Sequence, residues 1–280
     1  MHISDIHYSG LKDSSRLEKL YNIIKNYKTN YICITGDLID SNNVVESDIN
    51  SKYLIEWIKK LSKLSVILIS LGNHDIFLRN RHKLVKYYNK DFWNRIRSIN
   101  NVYVLDNEVY SDKNIYVYGF TLSYEYYYKY KKESVKLLLD EINKNRVNEI
   151  NENKLKICMM HSPLRLSEKS VKEKFNCYDL ILTGHMHNGV VPPIIDEIFD
   201  NDIGIISPGK KLFPKMARGI IIDNNILSIS AGMIKFHVTV TPLIRWANII
   251  YPIPINIINV TNKKCDTKKS HRYFLLMMFL

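Results

Sequence analysis

Five short polar clusters in this 280-residue sequence carry side chains suited to holding metal ions. Asp5 and His7 stand two apart, Asp37 and Asp40 follow Gly36, and Asn73, His74 and Asp75 follow Gly72. His161 stands alone, and His185 and His187 follow Gly184. The donors are carboxylate oxygen, amide oxygen and imidazole nitrogen, with no thiolate. That set suits hard or borderline ions such as Mn²⁺, Fe or Zn²⁺ rather than copper(I) or a structural cysteine-zinc site. Seven candidate donors are too many for one tetrahedral ion and suit two ions sharing a bridging carboxylate.

The elements that must position these residues are legible around them. Apolar, β-branched runs at Tyr31–Thr35, Val66–Leu71, Leu155–Met160 and Asp179–Thr183 read as strands, each ending just before a polar cluster. Helical spacing of apolar residues covers Arg16–Tyr27, Ser51–Leu64 and Val135–Ile150. Strands alternating with helices give an α/β fold, and the carboxyl ends of such strands line the crevice where ligands bind. In an extended segment residues two apart share a face, so Asp5 with His7, and His185 with His187, are expected to reach one ion together. Gly36, Gly72 and Gly184 permit unusual backbone angles and close approach of neighbouring turns. Short alternating runs over Asn101–Phe120 read as a hairpin-like set, as do Ile220–Ile222, Leu227–Ile229 and Lys235–Val240. With no internal repeat or Gly/Ser linker, one domain is expected over residues 1–260, followed by a basic and apolar tail over 261–280.

Composition bounds the rest. Apolar residues make up 46% and charged residues 24%, which excludes wholesale disorder. Cys33, Cys158, Cys177 and Cys265 are too scattered for a disulfide framework or zinc knuckle, so a reducing, cytoplasmic setting is expected. The opening Met1-His2-Ile3-Ser4 lacks the pattern of a secretory leader. Trp246–Asn262 is uncharged but short and broken by Pro252 and Pro254, and is rejected as a membrane span. The net charge of +12 favours anionic partners without choosing among phosphorylated substrates, nucleic acid and acidic lipid.

Taken in order, D-I-H (Asp5–His7), G-D-L-I-D (Gly36–Asp40), G-N-H-D (Gly72–Asp75), the strand-then-His at His161 and G-H-M-H (Gly184–His187) resemble the calcineurin-like metallophosphoesterases, over about two-thirds of the chain. The strand-rich end, with its Pro-Gly loop and Pro214–Gly219, is similar to bacterial members of the often membrane-associated branch. The resemblance implies a four-layer α/β/β/α sandwich of two mixed sheets flanked by helices. It implies two divalent metal ions, one on Asp5, His7 and His187, the other on Asn73, His161 and His185, with Asp37 bridging. His74 would be catalytic, Asp75 would orient it, and Asp40 would hold a loop or a ligand imidazole. The implied activity is hydrolysis of a phosphomonoester or phosphodiester by a metal-bridging water. In the family several apolar residues precede the first motif, whereas only Met1–Ser4 do here, so a shortened first strand or an upstream start is expected.

His2, His82, His237 and His271 are expected to be turn or solvated residues. Gly204–Lys211 nearly spells a phosphate-binding loop, but Lys211 replaces the needed Ser/Thr and Pro214 breaks the helix that should follow. Lys210, Lys211, Lys215 and Arg218 would face an anionic substrate or solvent. The tyrosine run Tyr124–Tyr130 reads either as an aromatic lip or as a mobile surface insertion. Tyr273–Leu280, wholly apolar after a basic stretch, reads either as a peripheral membrane contact or as a frayed terminus. A small or lipid-linked phosphorylated substrate is favoured over nucleic acid. The alternatives are a metal-dependent nuclease and a non-catalytic scaffold of the same fold, and the second is disfavoured because every ligand position is filled.

Overall fold

The computed structural model of the chain describes residues 1–80, 83–86, 88–128, 134–145, 154–163, 165–191, 202–207, 212–233, 255–262 and 273–279. In the first half, β1 (His2–Ile3), α1 (Ser14–Asn26), β2 (Tyr31–Thr35), α2 (Asn42–Glu46), α3 (Asp48–Ser62), β3 (Val66–Ser70) and α4 (Asn73–Ile76) follow in turn. A small hairpin, β4 (Phe77–Asn80) and β5 (Lys83–Lys86), precedes α5 (Lys90–Arg97) and β6 (Val102–Leu105). The second half runs through β7 (Glu108–Ser111), β8 (Ile115–Phe120), α6 (Tyr124–Tyr128), α7 (Ser134–Lys144), β9 (Leu155–Met160), α8 (Lys169–Lys172) and β10 (Leu180–Thr183). Strands β11 (Gly219–Ile222), β12 (Ile226–Ile229), β13 (Asn256–Asn262) and β14 (Tyr273–Phe279) complete it.

Two six-stranded mixed sheets result, ordered β14-β13-β1-β2-β3-β6 and β11-β12-β10-β9-β8-β7. In each, four parallel strands carry antiparallel neighbours at the margin. The parallel strands are buried on both faces, which is why they read as continuous apolar runs. Leu17, Leu20 and Ile24 of α1, with Leu54, Trp57, Ile58 and Leu61 of α3, pack on the outer face of the first sheet. Leu138 and Ile142 of α7 and Val171 of α8 cover Phe120, Cys158, Met160 and Ile181 on the outer face of the second. Between the sheets lie Cys33, Leu68, Leu105, Val117, Ile157, Met159 and Leu182. The order of layers is α/β/β/α, as the sequence motifs implied.

Some expectations are corrected. The set over Asn101–Phe120 divides between the sheets: β6 pairs in parallel with β3, while β7 and β8 form an antiparallel hairpin in the other sheet. Apolar Tyr273–Phe279 is the edge strand of the first sheet, paired along its length with β13, and not an unpaired tail. Residues 146–150, 208–211 and 234–250 lie outside the described residues, and with them part of the third expected helix, the centre of the loop resembling a phosphate-binding turn and the strand at Lys235–Val240. Arg218 from that basic stretch is buried and Lys215 exposed. Among the described residues no helix is long and apolar enough to cross a membrane. Cys33, Cys158 and Cys177 are free thiols.

His2 is neither solvated nor at a turn. It is fully buried between the sheets, its Nε2 2.9 Å from Thr35 Oγ1 and its Nδ1 3.4 Å from Ser228 Oγ, which also accepts from Asn256 Nδ2 at 3.1 Å. Burial, helped by the nearby N-terminal ammonium, lowers its pKa to about 3. The unfolded chain takes up a proton below about pH 6.5 that this ring refuses until about 3, so acidification through that window favours unfolding. Urea unfolding should therefore show stability falling as pH drops below 6.5, by up to about 1.4 kcal/mol per pH unit from this residue. His2→Gln should flatten that slope, and an unchanged slope would assign the acid sensitivity elsewhere.

Candidate metal centre

The polar clusters sit where β1, β2, β3, β9 and β10 end on one rim of the sandwich. Backbone bonds draw these ends together: Asp5 N–H donates to Gly36 O at 3.1 Å, His7 N–H to Asp37 O at 2.9 Å, and Gly184 N–H to His161 O at 2.8 Å. Asp5, His7, Asp37, His185 and His187 all have φ between 47° and 67°. Residues two apart therefore converge through left-handed turns and not, as expected, by alternation along an extended segment. Such conformations cost non-glycine residues of order 1–3 kcal/mol each and persist where surrounding structure over-determines them.

The donor atoms form two adjoining groups, Asp5–His7–His187 and Asp37–His161–His185, within each of which all lie within 4.8 Å of one another. Asp5 Oδ1 lies 3.8 Å from Nε2 of His7, of His161 and of His187, and accepts no hydrogen bond among the described residues. A fully buried carboxylate oxygen facing three imidazole nitrogens at that distance suits a cation placed among them. Asp37 Oδ2 is 3.0 Å from His161 Nε2 and 3.6 Å from His7 Nε2, so it lies between the two groups. Among the described residues Asn73 Oδ1 and His187 Nδ1 are also buried without a hydrogen-bond partner. A third grouping, His7, Asp40 and His74, adjoins the first.

Around them lies a shell of orienting contacts. His161 Nδ1 donates to Thr35 O at 2.8 Å, leaving Nε2 to face Asp37 and His185 Nδ1, the latter at 3.1 Å. Ser4 Oγ bridges Thr35 O, at 3.0 Å, and Asp5 Oδ2, which also accepts His185 N–H at 2.9 Å. Asp40 Oδ1 stands 3.6 Å from His7 Nδ1. Asp75 does not orient His74 as expected. Its carboxylate accepts the backbone N–H groups of Ile39, at 3.2 Å, and Gly72, at 2.8 Å, and so ties two loops together. The carbonyl of Asp40 holds His74 Nδ1 instead, while His74 N–H donates to Asp37 Oδ1 at 2.8 Å. Sequence reasoning missed Ser4 and Thr35; Tyr127, from the tyrosine run, meets the His185 ring edge-on at 5.4 Å. The one signal for Ser4 and Thr35 was a polar residue at an apolar strand end. Tyr126 OH lies 3.2 Å from Ser162 Oγ, so Tyr126 and Tyr127 of the tyrosine run border the site, while residues 129–130 at its end lie outside the described residues.

Electrostatics keep Asp5, Asp37 and His185 in ligating forms, whereas His161 holds a proton that a metal ion would displace. Burial opposes the charge of Asp37, yet His161, His74 and His7 hold its carboxyl well below the usual carboxylate range. Burial likewise opposes the charge of Asp5, which His161 and His187 nonetheless hold low. Burial also opposes a proton on His161, but Asp37 and Asp5 push its pKa up to about 10. Burial and the neighbouring His161 lower His185 to about 3, leaving it neutral. Burial beside Asp37 raises Asp75 to about 7.

Two glycines make room. Gly36 adopts φ +81°, and a Cβ there would sit 2.6 Å from His161 Nδ1. A Cβ on Gly184 would overlap the side chains of Ser4 and Asp5. Gly184→Ala should therefore lower metal content measured by elemental analysis severalfold, with the far-ultraviolet circular dichroism of the sandwich retained. Unchanged metal content would show that Asp5 is not a ligand or that the loop yields freely.

An uncharacterized metallophosphoesterase of Aquifex aeolicus is 27% identical over 230 residues, covering 79% of this chain and 76% of that protein. An uncharacterized protein of Acanthamoeba polyphaga mimivirus is 25% identical over 207 residues, 66% of this chain but 14% of its own length. Among solved structures, a phosphopantetheinyl hydrolase from Mycobacterium tuberculosis aligns with 66% of this chain and 81% of its own, at 12% identity and a TM-score of 0.43. The family model described as calcineurin-like phosphoesterase matches residues 1–189, a span that begins before Asp5 and ends just after His187. Every cluster gathered at this rim thus falls inside the matched segment, and the chain belongs to the calcineurin-like phosphoesterase family.

Proposed function

We propose that this metal-dependent phosphoester hydrolase works with two divalent ions, on a phosphomonoester or phosphodiester of a small or lipid-linked alcohol. Asp5, His7 and His187 would hold one ion, Asn73, His161 and His185 the other, and Asp37 would join both. The observation that carries the reading is the place of Asp37, buried between two groups of imidazoles. Bound there, a pair of ions would polarise the phosphoryl oxygens and bring the pKa of a water close to neutrality. Mn²⁺, Fe and Zn²⁺ all fit the donor chemistry.

The chain's own groups supply the rest. Thr35 O fixes His161 with its proton on Nδ1, and Asp40 faces His7 Nδ1, so in both rings Nε2 is the ligating nitrogen. Asp40 O holds His74 Nδ1 in the same way and leaves its Nε2 to the substrate. Protonated there, His74 would donate to the leaving alcohol oxygen as bond cleavage proceeds. Asp75 acts at one remove, by holding the loops that carry Asp37 and Asn73.

Chelation should abolish hydrolysis of a generic chromogenic ester and Mn²⁺ should restore it; full activity after thorough demetallation would end the reading. Asp37→Asn should do more damage to metal content and rate than any other single ligand change. His74→Ala should lower kcat by about 10²–10⁴-fold with metal content kept. Loss of metal together with rate would make His74 a ligand instead.

A further inference from the structure

We propose that Asn42 is a positioning residue for His74: its side-chain amide fixes the segment that carries the imidazole, so that the ring meets the leaving oxygen at one angle. The proposal rests on the reading of His74 as proton donor given above and deepens it. Asn42 opens α2, two residues past Asp40, and is wholly buried. Its Nδ2 donates to Asp75 O at 3.2 Å and to His74 O at 3.5 Å, and its Oδ1 accepts Asn89 N–H at 3.3 Å. An amide with an N–H donor on one side and two carbonyls on the other has one satisfactory orientation, so its neighbours fix which way it points.

The need for such a group comes from the shape of α4. It is one turn long, so its last carbonyls have no following turn to pair with. Buried carbonyls need a donor from elsewhere, and Asn42 reaches two of them. His74 is thereby held at three points from outside its own turn. Asp37 Oδ1 accepts its N–H at 2.8 Å, Asp40 O holds its ring Nδ1, and Asn42 Nδ2 holds its carbonyl. Two of these contacts come from one short stretch, Asp40–Asn42. The ring keeps its bond to Asp40 only while the His74 backbone stays at a set distance from that stretch, and Asn42 sets the distance. The other face of the amide is tied to a fixed element. Asn89 caps α5 by accepting Phe92 N–H at 3.0 Å, and Phe92, Trp93 and Ile96 of that helix are buried in the core of the first sheet. Asn42 thus carries the rigidity of the core to a ring that must be aimed within about 0.5 Å.

Proton donation matters more as the leaving oxygen becomes more basic, so a misaimed donor is exposed by comparing two esters. The ratio of kcat for phenyl phosphate to kcat for 4-nitrophenyl phosphate, or for their methyl diesters, should fall about fivefold in Asn42→Asp and in Asn42→Ala, and further in His74→Ala, with metal content kept. Asn225→Ala removes a comparably buried amide, bonded to Phe175 O at the end of the second sheet away from the rim, and should leave the ratio unchanged. In the metal-free protein, nuclear magnetic resonance of the imidazole nitrogens should find neutral His74 protonated at Nδ1 in the native chain and divided between both ring nitrogens in the Asn42 variants. Both esters slowed equally by those variants, an unchanged His74 tautomer, or a ratio lowered as much by Asn225→Ala would overturn the proposal and leave His74 as the donor. Metal lost from both Asn42 variants would overturn it too, making Asn42 a support for Asn73 instead. A ratio unmoved by His74→Ala would overturn the donor reading itself, and this proposal with it.

Discussion

Two carboxylates buried in the seam between the sheets set the terms for the rest of the molecule. Asp5 and Asp37 are 0% and 1% exposed, and an isolated ionised carboxylate out of water is among the most costly things a fold can contain. They are tolerable because imidazoles and backbone N–H groups surround them and because the arrangement accommodates cations. Bringing that many donors to one point requires loops from both sheets to meet closely. The left-handed turns at five of the donor residues, and the glycines that let Gly36 and Gly184 touch the donors themselves, follow from that requirement. Backbone strain at the rim is thus offset by the apolar helices and sheets beneath it.

The seam is not uniform. Its lower part is aliphatic, with Leu68, Val117, Ile157 and Leu182 packed between the sheets. Toward the rim it turns polar in a continuous series, from Asn256 and Ser228 through His2 to Thr35, and from Thr35 to His161 and Ser4. Each member has a partner, as buried polar groups require. The series joins strands of both sheets and ends on the donor His161 and, through Ser4, on the donor Asp5, so packing of the sandwich and aim of the donors are one problem. A change deep in the seam would be felt at the rim through Thr35, whose carbonyl fixes the His161 ring.

The charge of the whole chain is a poor guide to any one surface. Charges are screened over about 8–10 Å at ordinary ionic strength, so a cleft sees its own walls and little of the remote lysines.

Much of this was legible in the residues. The alternation of apolar runs with helical spacing dictates an α/β fold, because only packed layers bury such faces. The donor types at strand ends point to a metal site of oxygen and nitrogen ligands, and six of the seven expected donors lie in two adjoining groups at one rim. What the tertiary structure alone decided is how they are held. Asp75 follows His74 in the chain, yet Asp40 holds the His74 ring, since a helical turn at Asn73–Ile76 sends adjacent side chains in different directions. Strand β6 pairs with β3 and not with its sequence neighbour β7, because strand partnership depends on which faces find a common core. Local sequence specifies which side chains are present and their period along the chain. Which of them touch depends on contacts between segments far apart in it, and those exist only once the two sheets have closed.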